Sequence, residues 1–239
     1  MKRLNRGFGL IEMLIALALS LVVVLGVAQV FIAAKNTYAS QNAAANIQED
    51  ARFVLSKMIQ EIRMVGMFGC LGTITDASAG GSFYLSQVAP ISWDHANLKL
   101  TLVTADVGAG GSTPTWTVVS DCRNTATAYS NKQDPATGQL AFPIRRLVYS
   151  LKNGQLTMGS GIGTPTQAVL VDNVSKFDVS FGLAASATDT SASSYSPNPS
   201  DPARIRSVRL TLTLTLRDPN SRVSEQTFNV VAALRNRLP

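Results

Sequence analysis

An apolar run of 25 residues, Leu10 to Ala34, constrains this chain more than any other feature. Its interruptions are Glu12, Ser20, Gly26 and Gln29. A helix rises about 1.5 Å per residue and a bilayer's hydrocarbon core is about 30 Å thick, so the run is long enough to span a membrane. Lys2, Arg3 and Arg6 precede it, and no acid balances them. Positive flanks stay cytoplasmic, so the following residues are expected on the far side of the membrane. The run also explains why hydrophobic content reaches 46% with only 15% charged residues. Of the formal net charge of +6, three charges lie ahead of the run, which leaves +3 for all the rest. That is thinner than the basic patch of a nucleic-acid specialist. A length of 239 residues suits one sizeable domain plus an appendage.

Three readings of the N-terminus compete. A secretory signal peptide has an apolar core of about 7–15 residues closed by a small-x-small site. The run here is longer, and no such site follows it. A plain signal anchor accounts for the length but not for Glu12, because a carboxylate central in a spanning helix costs roughly 2.5–3.5 kcal/mol. The third reading uses every oddity. A short basic leader ends in Gly7, Phe8 follows, and Glu12 stands fifth counting from Phe8. This pattern, GFGLIE, resembles the class III leader of type IV pilins and type II secretion pseudopilins. The resemblance implies that a prepilin peptidase cuts between Gly7 and Phe8 and methylates the new Phe8 amine. Gly9 stands where that family often has Thr or Ser. Cutting after Gly9 instead would put Leu14 in the acid's place. Glu12 would then serve as an assembly register: a buried cation and a buried carboxylate are each costly alone and tolerable together. The plain alternative is that Glu12 snorkels to the interface.

The helix is expected to continue past Ala34. From Lys35 to Val65 there is neither Pro nor Gly. Tyr38, Ile47, Ala51, Val54, Leu55, Met58, Ile62 and Val65 recur at helical spacings and form a core-facing stripe. Gln48, Glu49, Arg52, Lys57, Gln60, Glu61 and Arg63 form the polar remainder, with Lys57 and Glu61 spaced to pair. One helix thus runs from about Leu10 to about Val65, on the order of 80 Å at 1.5 Å per residue.

Beyond Gly66 the composition shifts to Gly, Ser, Thr and Asp with short β-rich runs. Strands are expected near Leu98–Thr104, Thr115–Ser120, Ile144–Leu151, Gln155–Met158, Ala168–Val171, Ser175–Phe181, Ile205–Leu216 and Thr227–Leu234. Asn153-Gly154 is the strongest short hairpin signal. In VRLTLTLTLRD, Val208, Leu210, Leu212, Leu214 and Leu216 face one way and Arg209 with three Thr the other, as in a half-buried antiparallel strand. Ala184 to Ala203 has no periodicity and reads as a long exposed loop. Gly80-Gly81 and Gly108 to Gly111 mark two shorter loops.

Two cysteines, Cys70 and Cys122, fit one disulfide if this domain lies outside the cytoplasm, and two core thiols otherwise. The positive-inside orientation favours the disulfide, which would tie the end of the long helix to a strand. EIRMVGMFGC, IRRLVYSLKNGQL, VLVDNVSKFDVSFG, IRSVRLTLTLTL and VVAALRNRLP are similar in order and spacing to segments of PilW-like minor pilins. The J-type pseudopilin of type II secretion shares the plan.

Catalytic constellations are missing from the sequence. His95 is the lone histidine and HANL gives it no partner motif. There is no G-x-S-x-G elbow, P-loop, paired Cys ligands or HExxH. Asp189 and Asp201 lack the acid-Gly-Glu order of an EF-hand. No cofactor, metal or small-molecule substrate is expected, and the chain reads as a non-enzyme. Arg204, Arg206, Arg209, Arg217, Arg222, Arg235 and Arg237 outnumber the nearby acids and suit a solvated strand face. DNA backbone is the weaker alternative partner, since no aromatic ladder accompanies them.

The expectation is therefore an α+β chain of type IV pilin-like fold: a long N-terminal helix packed on a C-terminal antiparallel sheet domain. Residues 1–7 would be leader, 8–66 helix (about 10–34 transmembrane, 35–65 amphipathic) and 67–239 a β-rich domain in the periplasm or outside the cell. The resemblance implies a minor pilin of a type IV pilus, held in the inner membrane and then built into a tip or priming complex with other minor pilins and the major pilin. A J-type pseudopilin, an anchored domain that never polymerises and a DNA-capturing tip protein are the alternatives.

Overall fold

The computed structural model describes residues 9–106, 113–215 and 225–237. The first helix, α1, spans Leu10–Arg63 without a break. The described residues divide into two units: 9–46, and 47–106 with 113–215 and 225–237. Leu10 to Asn46 is helix in the first unit. Its apolar side chains, from Leu10 to Ile32, are exposed all round. A helix apolar on every side belongs in lipid or among other helices. It is long and apolar enough to cross a membrane.

The second unit begins where α1 becomes amphipathic. Ile47, Ala51, Val54, Leu55, Met58 and Ile62 are buried along one stripe. Two members of the expected stripe behave differently. Tyr38 is 73% exposed, because it lies before the segment that has a sheet to pack on. Val65 is buried but lies beyond α1, in an isolated bridge to Thr104. A third residue changes sides. Glu61, expected on the polar face, is only 8% exposed.

The unit contains two sheets. The first holds β1 (Thr75–Asp76), β2 (Ile91–Asp94), β3 (Lys99–Ala105), β4 (Trp116–Ser120), β5 (Ala126–Ser130), β6 (Leu140–Lys152), β7 (Gln155–Ser160) and β8 (Gln167–Val171). Its order is β1-β5-β4-β6-β3-β2, with β7 also pairing β6 and β8 pairing β7. The long β6 takes β3 along one edge and β4, then β7, along the other. A tight turn at Asn153-Gly154 joins β6 to β7, with φ 53° and 73°. That left-handed pair is what a two-residue hairpin demands. All pairs are antiparallel except β1 with β5, which is parallel and two residues long. The expected purely antiparallel sheet is thus mixed at one edge. Between β1 and β2 lies a short helix, α2 (Ser82–Val88). Its Phe83 packs edge-on against Phe68 and Trp116, with ring centroids at 5.3 and 5.8 Å.

The second sheet has the order β10-β9-β11-β12, from β9 (Val174–Leu183), β10 (Ser194–Ser196), β11 (Ile205–Thr215) and β12 (Glu225–Ala233). Along β11, Val208, Leu210, Leu212 and Leu214 are buried while Arg209 is exposed. They pair with Phe181, Val179, Phe177 and Val174 of β9, so large apolar side chains stack on one face. Leu216 lies outside the described residues. Trp93 of the first sheet meets Phe177 of the second edge-on at 5.4 Å.

The stretch Ala184 to Ala203 is more ordered than its composition suggests. Ser194–Ser196 forms β10 against β9. The Arg206 guanidinium, 4% exposed, donates to the carbonyls of Asp189, Ala203 and Ala187 at 2.6–2.7 Å. One buried cation from β11 therefore ties down a segment with no apolar period of its own. Gly80-Gly81 forms a one-turn 3-10 helix leading into α2 rather than a plain loop. Gly108 to Gly111 lies outside the described residues.

Candidate assembly site

The N-terminal turn of α1 is built around Glu12. The Met13 N–H donates to the Gly9 carbonyl at 3.3 Å, which makes Gly9 the N-cap. Glu12 is then the third helical residue, and its Oε2 accepts from the Gly9 N–H at 2.9 Å. This is half of a capping box. The carboxylate satisfies a donor that the helix leaves open and sits at the positive end of the peptide dipoles. The other half needs a hydroxyl on the N-cap residue, which Gly9 lacks. The sequence spacing placed Glu12 relative to Phe8 and missed its capping of Gly9; the signal for it was an acid three residues after the glycine that precedes the apolar run. Gly7 and Phe8 lie outside the described residues.

Cys70 and Cys122 are joined as a disulfide, with Cα atoms 5.4 Å apart at a sequence separation of 52. The bridge links the segment after α1 to the β4–β5 turn, not to a strand. Cys122 has φ 55°, a turn conformation, and its N–H donates to Ser120 Oγ at 2.9 Å. Asp121 closes the same turn. Its Oδ1 accepts from the N–H groups of Arg123, Asn124 and Thr125 at 2.9 Å each. Those donors, Thr125 first, hold its carboxyl far below the usual range.

A second lock fixes α1 to the first sheet. Lys57 Nζ lies 2.7 Å from Glu61 Oε1. The buried Tyr149 hydroxyl donates to Glu61 Oε2. Burial, then the Glu61 charge, pushes the Tyr149 phenol well above its ordinary value. Thr104 Oγ1 donates to the Glu61 carbonyl at 3.2 Å, and the Gly66 N–H to Val103 O at 3.2 Å. The signal for Glu61 was present in its spacing, three residues after Met58 and seven after Val54.

The basic residues of the C-terminal stretch are partly engaged. Arg204 donates from Nε and Nη2 to the Ala184 carbonyl, Arg206 is buried, and Arg209 stacks on Tyr195 at 3.8 Å from the ring centre. Arg217 and Arg222 lie outside the described residues. Asp189 and Asp201 accept from the nearby N–H groups of Ser186 and Ala203 as turn caps. Among the described residues no group of three His, Cys, Asp or Glu is placed to hold a metal ion.

Residues 2–28 match the family model described as the prokaryotic N-terminal methylation motif. No curated protein matches the chain. The matched stretch contains the basic leader, Gly7, Phe8, Glu12 and most of the apolar run. Such a motif belongs to structural rather than catalytic proteins, and implies processing by a prepilin peptidase and assembly with other pilins. The chain carries the class III leader of type IV pilin-like and pseudopilin proteins at the head of a long apolar helix, followed by an α+β domain.

Proposed function

We propose that this chain is a minor pilin of a type IV pilus, PilW-like, made as a single-pass inner-membrane precursor and then placed in a tip or priming complex. Residues 1–7 are the leader, 8–66 the assembly helix and 67–239 the exposed domain. Prepilin peptidase cuts between Gly7 and Phe8 and methylates the Phe8 amine. Glu12 neutralises that amine and sets the subunit's height in the helical bundle.

The observation that carries this reading is the Glu12 carboxylate on the Gly9 N–H at 2.9 Å, in the first turn of α1 and at the head of its apolar run. In sequence, the Gly9 whose N–H this carboxylate holds directly follows Phe8, the residue whose amine cleavage would free. Uncut, the precursor still has a use for the charge, as a helix cap. The exposed apolar surface of Leu10 to Ile32 supports transfer from lipid into a bundle of like helices.

The test is recovery of the chain in sheared, washed filaments. It is expected there in cells with an intact prepilin peptidase, together with other minor pilins, and only in the membrane of peptidase-deficient cells. Retention in the membrane of both strains would contradict the proposal. Co-purification with secretion pseudopilins instead of minor pilins would move the chain to the J-type reading.

A further inference from the structure

We infer that the outer edge of β12 is a strand-acceptor site for an extended segment of a different polypeptide, apolar at alternate residues. The inference does not depend on the filament reading. β12 is nine residues long and pairs with β11 in unbroken register from Thr215↔Glu225 to Ser207↔Ala233. The Leu234 N–H donates to Arg206 O at 2.8 Å. Inward-pointing residues recur every second position from there, so Ala232, Val230, Phe228 and Gln226 aim their backbone groups at β11. Thr227, Asn229, Val231 and Ala233 aim theirs outward, and no described strand takes them.

Strand edges are normally blunted by shortness, charge, proline or a bulge. The other edge strands described here are short: β1 has two residues, β10 three, β2 four and β8 five. β12 has none of these protections. It holds no proline and no register shift, and its single charge, Glu225, is its first residue.

What lies beside the edge selects the occupant. A groove of about 530 Å³ runs between β12 and α1, lined by Leu55, Ile59, Phe228 and Val230 together with Gln48 and Arg52. Phe228 and Val230 are only half-buried although they share the core face with Leu212 and Leu210. An added strand places every second side chain on that face, so alternate apolar residues would fill the groove while its backbone pairs with the edge. A second copy of this chain fits less well. Antiparallel pairing of two β12 edges puts both α1 helices on one face of the joined sheet, where the groove has room for side chains and not for a helix.

The test uses the purified full-length chain in detergent micelles, with empty micelles as blank. The probe is a fluorescent, acetylated nine-residue peptide of alternating Val and Thr, with two terminal lysines for solubility. Its control is the same peptide N-methylated at every second residue, so that one edge cannot pair. Saturable anisotropy is expected for the first peptide. Binding of the second should be weaker by at least about tenfold, the scale of one or two lost hydrogen bonds. Val231→Pro removes one outward N–H and should weaken binding comparably, whereas Val231→Ala should not. If Val231→Pro does not fold, the two peptides on the unaltered chain decide. No binding by the alternating peptide, or equal binding by its N-methylated form, overturns the site. Concentration-dependent dimers that Val231→Pro abolishes and the peptide cannot displace would overturn the choice of a different chain.

Discussion

Glu12 and Glu61 stand on the same helix, and their neighbours give them different work. Glu12 reaches back to the Gly9 N–H at the start of α1, in a segment whose large apolar side chains are exposed among the described residues. Glu12→Val is expected to remain insertable and processed, because the apolar run only lengthens, but to be missing from sheared filaments. Normal filament incorporation of that variant would remove the register role. Glu61 is buried between Lys57 and the Tyr149 hydroxyl. Tyr149→Phe strips its hydroxyl partner and should cost about 1–3 kcal/mol, read from chemical denaturation. The pH dependence has a definite sign. The Tyr149 pKa is raised on folding from 10.0, so its contribution is fully present below about pH 10. It is lost as pH rises above that value, where only the unfolded chain gives up the proton. Melting curves of the unaltered protein should fall above pH 10 through this group, and Tyr149→Phe should lose that part of the fall.

At the scale of elements, the disulfide closes a loop of 52 residues. In the chain-entropy model that contributes about 4 kcal/mol, so Cys70→Ser should lower stability by roughly 2–4 kcal/mol. Two reactive thiols in denatured, unreduced protein would contradict the bridge. Strands with a clear period or a fixed turn were legible: β11 from its Leu/Thr alternation, and β6 with β7 from Asn153-Gly154. The unread ones are short and depend on distant partners. β1 is two residues held by β5, and β10 exists because β9 offers an edge and Arg206 gathers the carbonyls before it. α2 has seven residues, too few to be stable alone. Its first turn is capped from outside, with Ser78 Oγ accepting from the Phe83 N–H and Asp76 Oδ2 from the Tyr84 N–H. No local pattern announces such caps, because the acceptors stand five and eight residues before the donors.

For the whole molecule, the first unit has a surface suited to lipid or helices, and the second has its own sheets and disulfide. The α+β plan followed from the change in periodicity near Lys35 and from the composition shift after Gly66. The division into two sheets did not, because sheet membership depends on which strands find each other. The long loop expected for Ala184 to Ala203 is held in part by the Arg206 guanidinium, a tie made from a distant strand that no local pattern announces. The central claim is that this chain is cut and methylated at its leader, and mass spectrometry of the protein isolated from cell envelopes tests it most directly. The N-terminal fragment should begin with N-methylated Phe8. A fragment that keeps Met1, or one that begins beyond Ala18, would contradict the claim.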